Sequence, residues 1–211
     1  MQMIITSDNT ATDILINRLG LERVNQMLAE LGYRETRLRA TTGALFRGVW
    51  EQLEPALSRL TDREVFDRGF PTDSAAATRT FAFEGDSTKW LGRTTAREIS
   101  RLLEQIHHGE LASQEHSGEM IRILRRQFYS SRLPRYISYQ ASVAHKTGDW
   151  PPYAGNDVGI IFAPGGPIVV SMFATQNRGD FVMLEETHGR VAQDLLAAWG
   201  GGGGGGGASA R

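Results

Sequence analysis

The sequence predicts an α+β fold: a mainly helical part over residues 1–135, followed by an antiparallel sheet of three strands and a closing helix over 142–199. Two observations carry this. In the first part apolar residues recur at helical spacing between capping residues and glycines, and from Ser142 the period changes to β-rich runs separated by Pro/Gly turns.

Asp8 or Asn9 can cap a first helix whose apolar residues Ala11, Ile14, Leu15 and Leu19 share one face and which stops at Gly20. Leu21, Val24, Leu28 and Leu31 repeat the pattern as far as Gly32. Residues 40–90 are less regular, with Pro55, Pro71, a Ser74-Ala75-Ala76-Ala77 run and scattered charge, and read as loops around one or two short helices. Thr95-Ala96-Arg97-Glu98 forms a capping box, in which threonine oxygen and glutamate carboxylate satisfy free backbone amides. Ile99, Leu102, Leu103 and Ile106 follow at helical spacing, and Gly109 ends the helix.

A further helix is expected from about Ser117 to Phe128. The β-rich runs are 142–147, 157–163 and 168–175, joined at Pro151-Pro152 and Pro164-Gly165-Gly166-Pro167 as an antiparallel meander. The last helix places Phe181, Leu184, His188, Val191, Leu195 and Trp199 on one face to cover that sheet, which makes Trp199 core. Gly200 to Gly207 and the Ala-Ser-Ala-Arg end have maximal backbone entropy and nothing to bury, so 200–211 is expected to be a disordered Gly-rich tail.

With 211 residues and 40% hydrophobic content the chain can build one sizeable core. Its 23 basic and 24 acidic residues are spread along it and leave a net charge of −1, so no electrostatic footprint for nucleic acid or an anionic membrane is present. The absence of cysteine excludes a disulfide framework, a thiolate nucleophile and a zinc-thiolate site. Apolar runs are too short to span a bilayer, and Met1-Gln2-Met3-Ile4-Ile5 lacks the basic n-region and cleavage site of a signal peptide. No metal or cofactor is expected: His107 and His108 precede Gly109 at a helix end, where imidazolium suits the dipole, and His145 points away from the face of Lys146 and is read as packing.

Two triplets carry the functional reading: Ser7-Asp8-Asn9 opening a helix, and Lys146-Thr147-Gly148 near the end of a strand. Either alone is an ordinary N-cap or strand end; together, in this order and setting, they point to one kind of active site. Their flanks agree, with Met3-Ile4-Ile5-Thr6 running into the first triplet and Thr10-Ala11-Thr12-Asp13 out of it. Val143-Ala144-His145, Asn156-Asp157-Val158-Gly159-Ile160-Ile161 and Pro167-Ile168-Val169-Val170 extend the likeness over the strands. On these residues the chain resembles the class A β-lactamases and penicillin-binding proteins, the serine β-lactamase/transpeptidase-like superfamily.

The resemblance implies a helical subdomain against an antiparallel sheet, with acyl transfer to a serine in the cleft between them. It implies hydrolysis of the β-lactam amide, and hence antibiotic resistance, with a small β-lactam or peptide-like amide or ester as substrate. Ser7 would relay a proton to the leaving nitrogen, and Lys146 would hold that hydroxyl and add positive potential. Asn9 would bind the acyl side-chain amide, Thr147 the substrate carboxylate, and Gly148 would let the substrate approach the strand edge. Asp8 would tie the loop down. Asp149 stands where the β-lactamases usually carry a hydroxyl; a carboxylate there would repel the substrate's own. Trp150 and Tyr153, just past the strand, could line the cleft mouth or pack the loop.

The family's Ser-x-x-Lys nucleophile motif is absent, since no serine has a lysine three positions on. The resemblance therefore implies a catalytic domain that lacks its first strands, nucleophile helix and any signal peptide, inactive by itself, with the missing segment as a partner. An exported parent, periplasmic or secreted, is the family's usual setting. Unpaired strand edges would leave such a piece marginally stable or prone to aggregate. For the deacylating glutamate, Glu54-Pro55-Ala56-Leu57-Ser58 is the nearest match in sequence and Glu84 the nearer in spacing to Thr94-Thr95. Two other readings stay open: a penicillin-binding peptidase or esterase on the same fold, and a non-catalytic fragment.

Overall fold

A computed structural model describes residues 1–69 and 73–200; Pro71 and the tail expectation beyond Gly200 lie outside them. Helices α1 (Gln2–Ile5), α2 (Asn9–Leu19) and α3 (Leu21–Glu30) lead to the short strand β1 (Arg37–Leu38). Then come α4 (Thr42–Leu53), a 3₁₀ turn (Pro55–Arg59), α5 (Asp62–Phe66), α6 (Ser74–Gly85), β2 (Gly92–Arg93), α7 (Ala96–His108) and α8 (Gln114–Leu124). Strands β3 (Ser142–Trp150), β4 (Ala154–Ala163) and β5 (Gly166–Met172) form an antiparallel sheet in the order β3-β4-β5, and α9 (Phe181–Gly200) closes the described chain. The expected meander is present, with β3 and β4 reaching farther into the turn at 151–153 than their β-rich runs.

Helices cover both faces of this sheet. Register sets Val143 opposite Ile161 and Ala144 opposite Ile160, and period-two alternation then sends each pair to its own side. Val143, Ile161 and Val170 meet Leu133, Ile137, Ala192 and Leu196 on the α9 side. Ala144 and Ile160 meet Leu103 of α7, Leu124 of α8 and Ile4 of α1 on the other. Gly159 is obligatory at this crossing, because a Cβ there would lie 2.6 Å from both Ala144 O and His145 Cβ. β5 has a neighbour on one side only among the described residues.

Several expectations need correction. The segment 40–90 holds two twelve-residue helices, α4 and α6, capped by Thr41 and Asp73 and packed together through Val49, Leu53, Ala76 and Phe83. Tertiary packing here overrides an unpromising local pattern. Trp150 stacks on Phe46 at 5.4 Å and joins that cluster, while Tyr153 Oη donates to Ala77 O at 3.0 Å, so both pack the hairpin against the helical part.

The apolar face expected of α2 is exposed at Ile14 (62%) and Leu19 (52%), and Ile16 is its buried residue. A polar anchor sets the helix orientation instead. Both oxygens of Asp13 accept from the start of α4, from Thr42 N and Gly43 N at 2.7 Å each, and Thr42 Oγ1 adds a bond of 2.6 Å.

At the start of α7 only half of the capping box forms. Glu98 N donates to Thr95 Oγ1, while the Glu98 carboxylate accepts from Arg34 N, Glu35 N and Thr36 Oγ1 in the loop after α3. Those free loop amides outcompete the one at the cap. Helix α8 runs Gln114–Leu124 from Ser113 as cap, earlier than expected.

The buried side of α9 is His188, Gly189, Ala192 and Leu196, one residue round from the expected Val191, Leu195 and Trp199. Gly189 explains the offset, since a Cβ there would lie 2.9 Å from Arg135 Cβ and the helix must turn its smallest residue to the segment before β3. Trp199 is 53% exposed and lies over the Gly165 turn rather than in the core.

Two glycines of the meander, Gly159 and Gly148, make opposite predictions. Gly159→Ala should cost about 1–3 kcal/mol by overpacking, whereas Gly148→Ala, whose Cβ would meet only Asn156 Nδ2 at 4.0 Å, should leave stability within about 0.5 kcal/mol. Urea unfolding of the two variants measures both.

Candidate active site

Ser7 sits in the turn between α1 and α2, and both flanks are fixed. Phe128 N donates to Ile5 O at 2.9 Å and Gln127 Nε2 to Ile4 O at 2.7 Å, while Ile4 is packed into the core against Ala144. On the other side Asp8 caps α2 by accepting from Ala11 N at 2.6 Å. Between these anchors Ser7 has φ 55°, a left-handed conformation that a serine holds only when its surroundings impose it.

Lys146 is two residues beyond Ala144 on β3, so alternation puts it on the same face, toward α1. Its Nζ donates to Ser7 Oγ at 2.7 Å and to Thr147 O at 2.5 Å. The structure thus brings together two groups 139 residues apart in sequence. A hydroxyl that accepts from the ammonium keeps its own O–H for another acceptor. Burial pushes the Lys146 pKa down, and Arg132 pushes the same way against the opposing pull of Asp149 and Asp157.

Of the other predicted site residues, Asn9 and Gly148 are exposed, and Thr147 and Asp149 turn to the face of β3 away from Lys146. Asn9 is exposed at the first turn of α2, and its carbonyl accepts from Thr42 Oγ1 at 3.2 Å. Thr147 is 5% exposed on the opposite face of β3 from Lys146. Gly148 is exposed and needs neither its backbone freedom nor close packing, which leaves room beside the strand.

Neither glutamate proposed for deacylation makes a hydrogen bond or ion pair to the triplets. Glu54 is exposed at the end of α4, 3.9 Å from Arg68 Nη1. Glu84 is buried and committed elsewhere: it accepts from Thr175 Oγ1 at 2.6 Å and from Gln176 N at 3.3 Å, holding the segment after β5. The side chain that touches the Ser-Asp-Asn helix from α4 is Thr42.

Missed in the sequence is a charged cluster on the α9 face. Arg132, 1% exposed, pairs through Nη1 with Asp149 Oδ1 at 2.7 Å and through Nη2 with Glu185 Oε1 at 3.0 Å, and also donates to Asn156 O at 3.1 Å. Beside it the fully buried Asp157 accepts from Leu133 N and bonds His145 Nδ1 at 2.9 Å. His145 faces away from Lys146 as expected, but it has this polar partner rather than apolar packing. His188 completes the cluster, and burial, reinforced by Arg132, holds its pKa down. The carboxylate of Asp149 is therefore paired with a buried guanidinium.

Comparison with known proteins identifies the family and the fold. A family model described as the beta-lactamase enzyme family matches residues 1–199. Among solved structures, a β-lactamase from Sphaerobacter thermophilus is 26% identical with TM-score 0.67, over 94% of this chain and 60% of that one. A β-lactamase from Chitinophaga pinensis is 20% identical with TM-score 0.67, over 93% and 62%. A mutant of PBP-A, in an acyl-enzyme complex with penicillin G, is 24% identical with TM-score 0.64, over 93% and 58%. The chain spans about three fifths of the length of these structures. No curated protein sequence matches it.

A depressed Lys146 pKa has a measurable sign. The unfolded chain binds the lysine proton at a pH where the folded one has released it, so stability rises with pH through the folded-state value up to the ordinary lysine range. NMR titration of the Lys146 Cε signal should give a midpoint below the ordinary lysine range.

Proposed function

The chain belongs to the beta-lactamase enzyme family, and on that footing we propose that it carries the proton-relay and substrate-binding half of a serine hydrolase that cleaves the β-lactam amide by acyl transfer. The observation that supports this most is the Lys146–Ser7 hydrogen bond across the two layers. In the reaction a serine of the Ser-x-x-Lys segment gives its proton to a base of that segment as its oxygen bonds to the lactam carbonyl carbon, the C–N bond breaks, and the Ser7 hydroxyl passes a proton to the leaving nitrogen, the released proton making good the one that Ser7 gives up. Lys146 replenishes and orients that hydroxyl, and water then releases the acyl group.

Asn9, Thr147, Gly148 and Asp149 line the substrate in this reading, and Asp8 holds the Ser7 turn. The nucleophile belongs to a Ser-x-x-Lys segment, which this sequence does not contain, so the 211-residue chain alone turns nothing over. We place the whole protein in the periplasm or outside the cell, as is usual for the family, with β-lactam resistance as the consequence; no helix among the described residues is long and apolar enough to cross a membrane.

A second reading, a penicillin-binding peptidase or esterase, is favoured by one observation: Thr42, not a carboxylate, lies against the Ser-Asp-Asn helix, and Glu54 and Glu84 are engaged elsewhere. Without a positioned base the acyl-enzyme would be long-lived.

Fusing the chain to a β-lactamase segment that carries Ser-x-x-Lys tests both. Steady turnover of a chromogenic cephalosporin, reduced about 10²–10⁴-fold by Ser7→Ala or Lys146→Ala, supports the lactamase. A single burst followed by a stable acyl adduct supports the peptidase or esterase, and turnover indifferent to both substitutions rejects the relay role.

A further inference from the structure

The Arg132 guanidinium lies behind the end of the Lys-Thr-Gly strand with its charge already taken. Two carboxylates share it, Asp149 at 2.7 Å and Glu185 at 3.0 Å, and Ser131 Oγ fixes Glu185 by donating to it at 2.6 Å. The stacking of Phe181 on the guanidinium, 5.6 Å from its ring, closes the same side. The arginine side chain is 1% exposed whereas Asp149 is 30% exposed, so a ligand beside Gly148 meets the carboxylate and not the cation. With Asp157 in the same cluster, carboxylates outnumber the guanidinium on this face of the strand.

We propose that Asp149 and Glu185 are specificity-determining residues that neutralise the charge of Arg132 through its two Nη atoms, its buried Nε being left without a partner, so that this end of the cleft selects acyl substrates uncharged at that position, neutral amides or esters, over carboxylates. The placement of the substrate along Lys146–Asp149 rests on the acyl-transfer reading above. Within that reading, lactams bearing a free carboxylate become poor ligands and their neutral esters better ones. The physical cause is desolvation: a carboxylate entering here must approach two anions already bound to the Arg132 guanidinium.

The test needs neither nucleophile nor turnover. Benzoate and benzamide, of the same shape and differing in charge, are titrated into the 211-residue chain while the amide signals of Gly148, Asp149 and Gly155 are followed by NMR. Wild type should bind benzamide roughly ten-fold or more tightly than benzoate, and Asp149→Asn or Glu185→Gln should each raise benzoate affinity by about the same factor. Each variant leaves Arg132 one carboxylate, and the amide spectrum reports whether it is folded. If one variant unfolds, the other decides.

Benzoate bound by wild type as tightly as benzamide would overturn the proposal. So would folded variants that gain no benzoate affinity, or neither probe binding to any of the three proteins. A gain in benzoate affinity with neither turnover nor an acyl adduct from the cephalosporin in the fused protein would instead keep the charge selection and reject acyl transfer.

Discussion

The register of β3 against β4 decides which groups meet. Val143 with Ile161, and Ala144 with Ile160, are buried on opposite faces, and a slip of one residue would exchange them and everything beyond. Lys146 would then turn to α9, and Asp149 to α1. Each fully buried aliphatic side chain contributes about 1.5–3 kcal/mol, against about 0.5–1.5 kcal/mol for a single hydrogen bond. Core packing therefore fixes the site geometry, and the Lys146–Ser7 bond reports it rather than creating it.

The same alternation separates two electrostatic compartments along one strand. Toward α1 there is a lysine held against a hydroxyl, with its pKa lowered by burial. Toward α9 there is Arg132 with its two carboxylates, and Asp157 with His145. Leaving a buried charge unpaired costs about 3–5 kcal/mol, which is why Arg132, Asp149 and Glu185 are best regarded as one unit. The left-handed Ser7 stores strain of about 1–3 kcal/mol, offset by the cap of Asp8 and the burial of Ile4 on its two sides. The hydroxyl between these two anchored helices meets β3 through the Lys146 ammonium.

The order of helices before a meander was legible in the sequence, because α2, α3, α7 and the three strands carry strong periodicity and clear stops at Gly20 and Gly109. The Ser7 and Lys146 triplets were legible as motifs, and the contact between them followed from the resemblance. Arg132 was not legible: it lies in the irregular stretch between α8 and β3, and its partners Asp149 and Glu185 are distant in sequence, so no local pattern marks it. The helices α4 and α6 were hidden for a related reason, since their stabilising contacts are mutual. The offset of α9 came from Gly189, whose close approach to Arg135 outweighs the apolar stripe of Val191, Leu195 and Trp199. Glu98 was read correctly as a side chain that satisfies backbone amides, and wrongly as to which ones.

The relay role of Ser7 is tested most directly by intact-mass spectrometry of this chain after incubation with benzylpenicillin and, separately, with its neutral methyl ester, using Ser7→Ala as control. An unchanged mass with both compounds is the expected result if, as proposed, Ser7 donates a proton and a serine of a Ser-x-x-Lys segment attacks. A covalent adduct that disappears in Ser7→Ala would mean that Ser7 itself attacks the carbonyl, and would contradict the division of the site into a relay half and a nucleophile half.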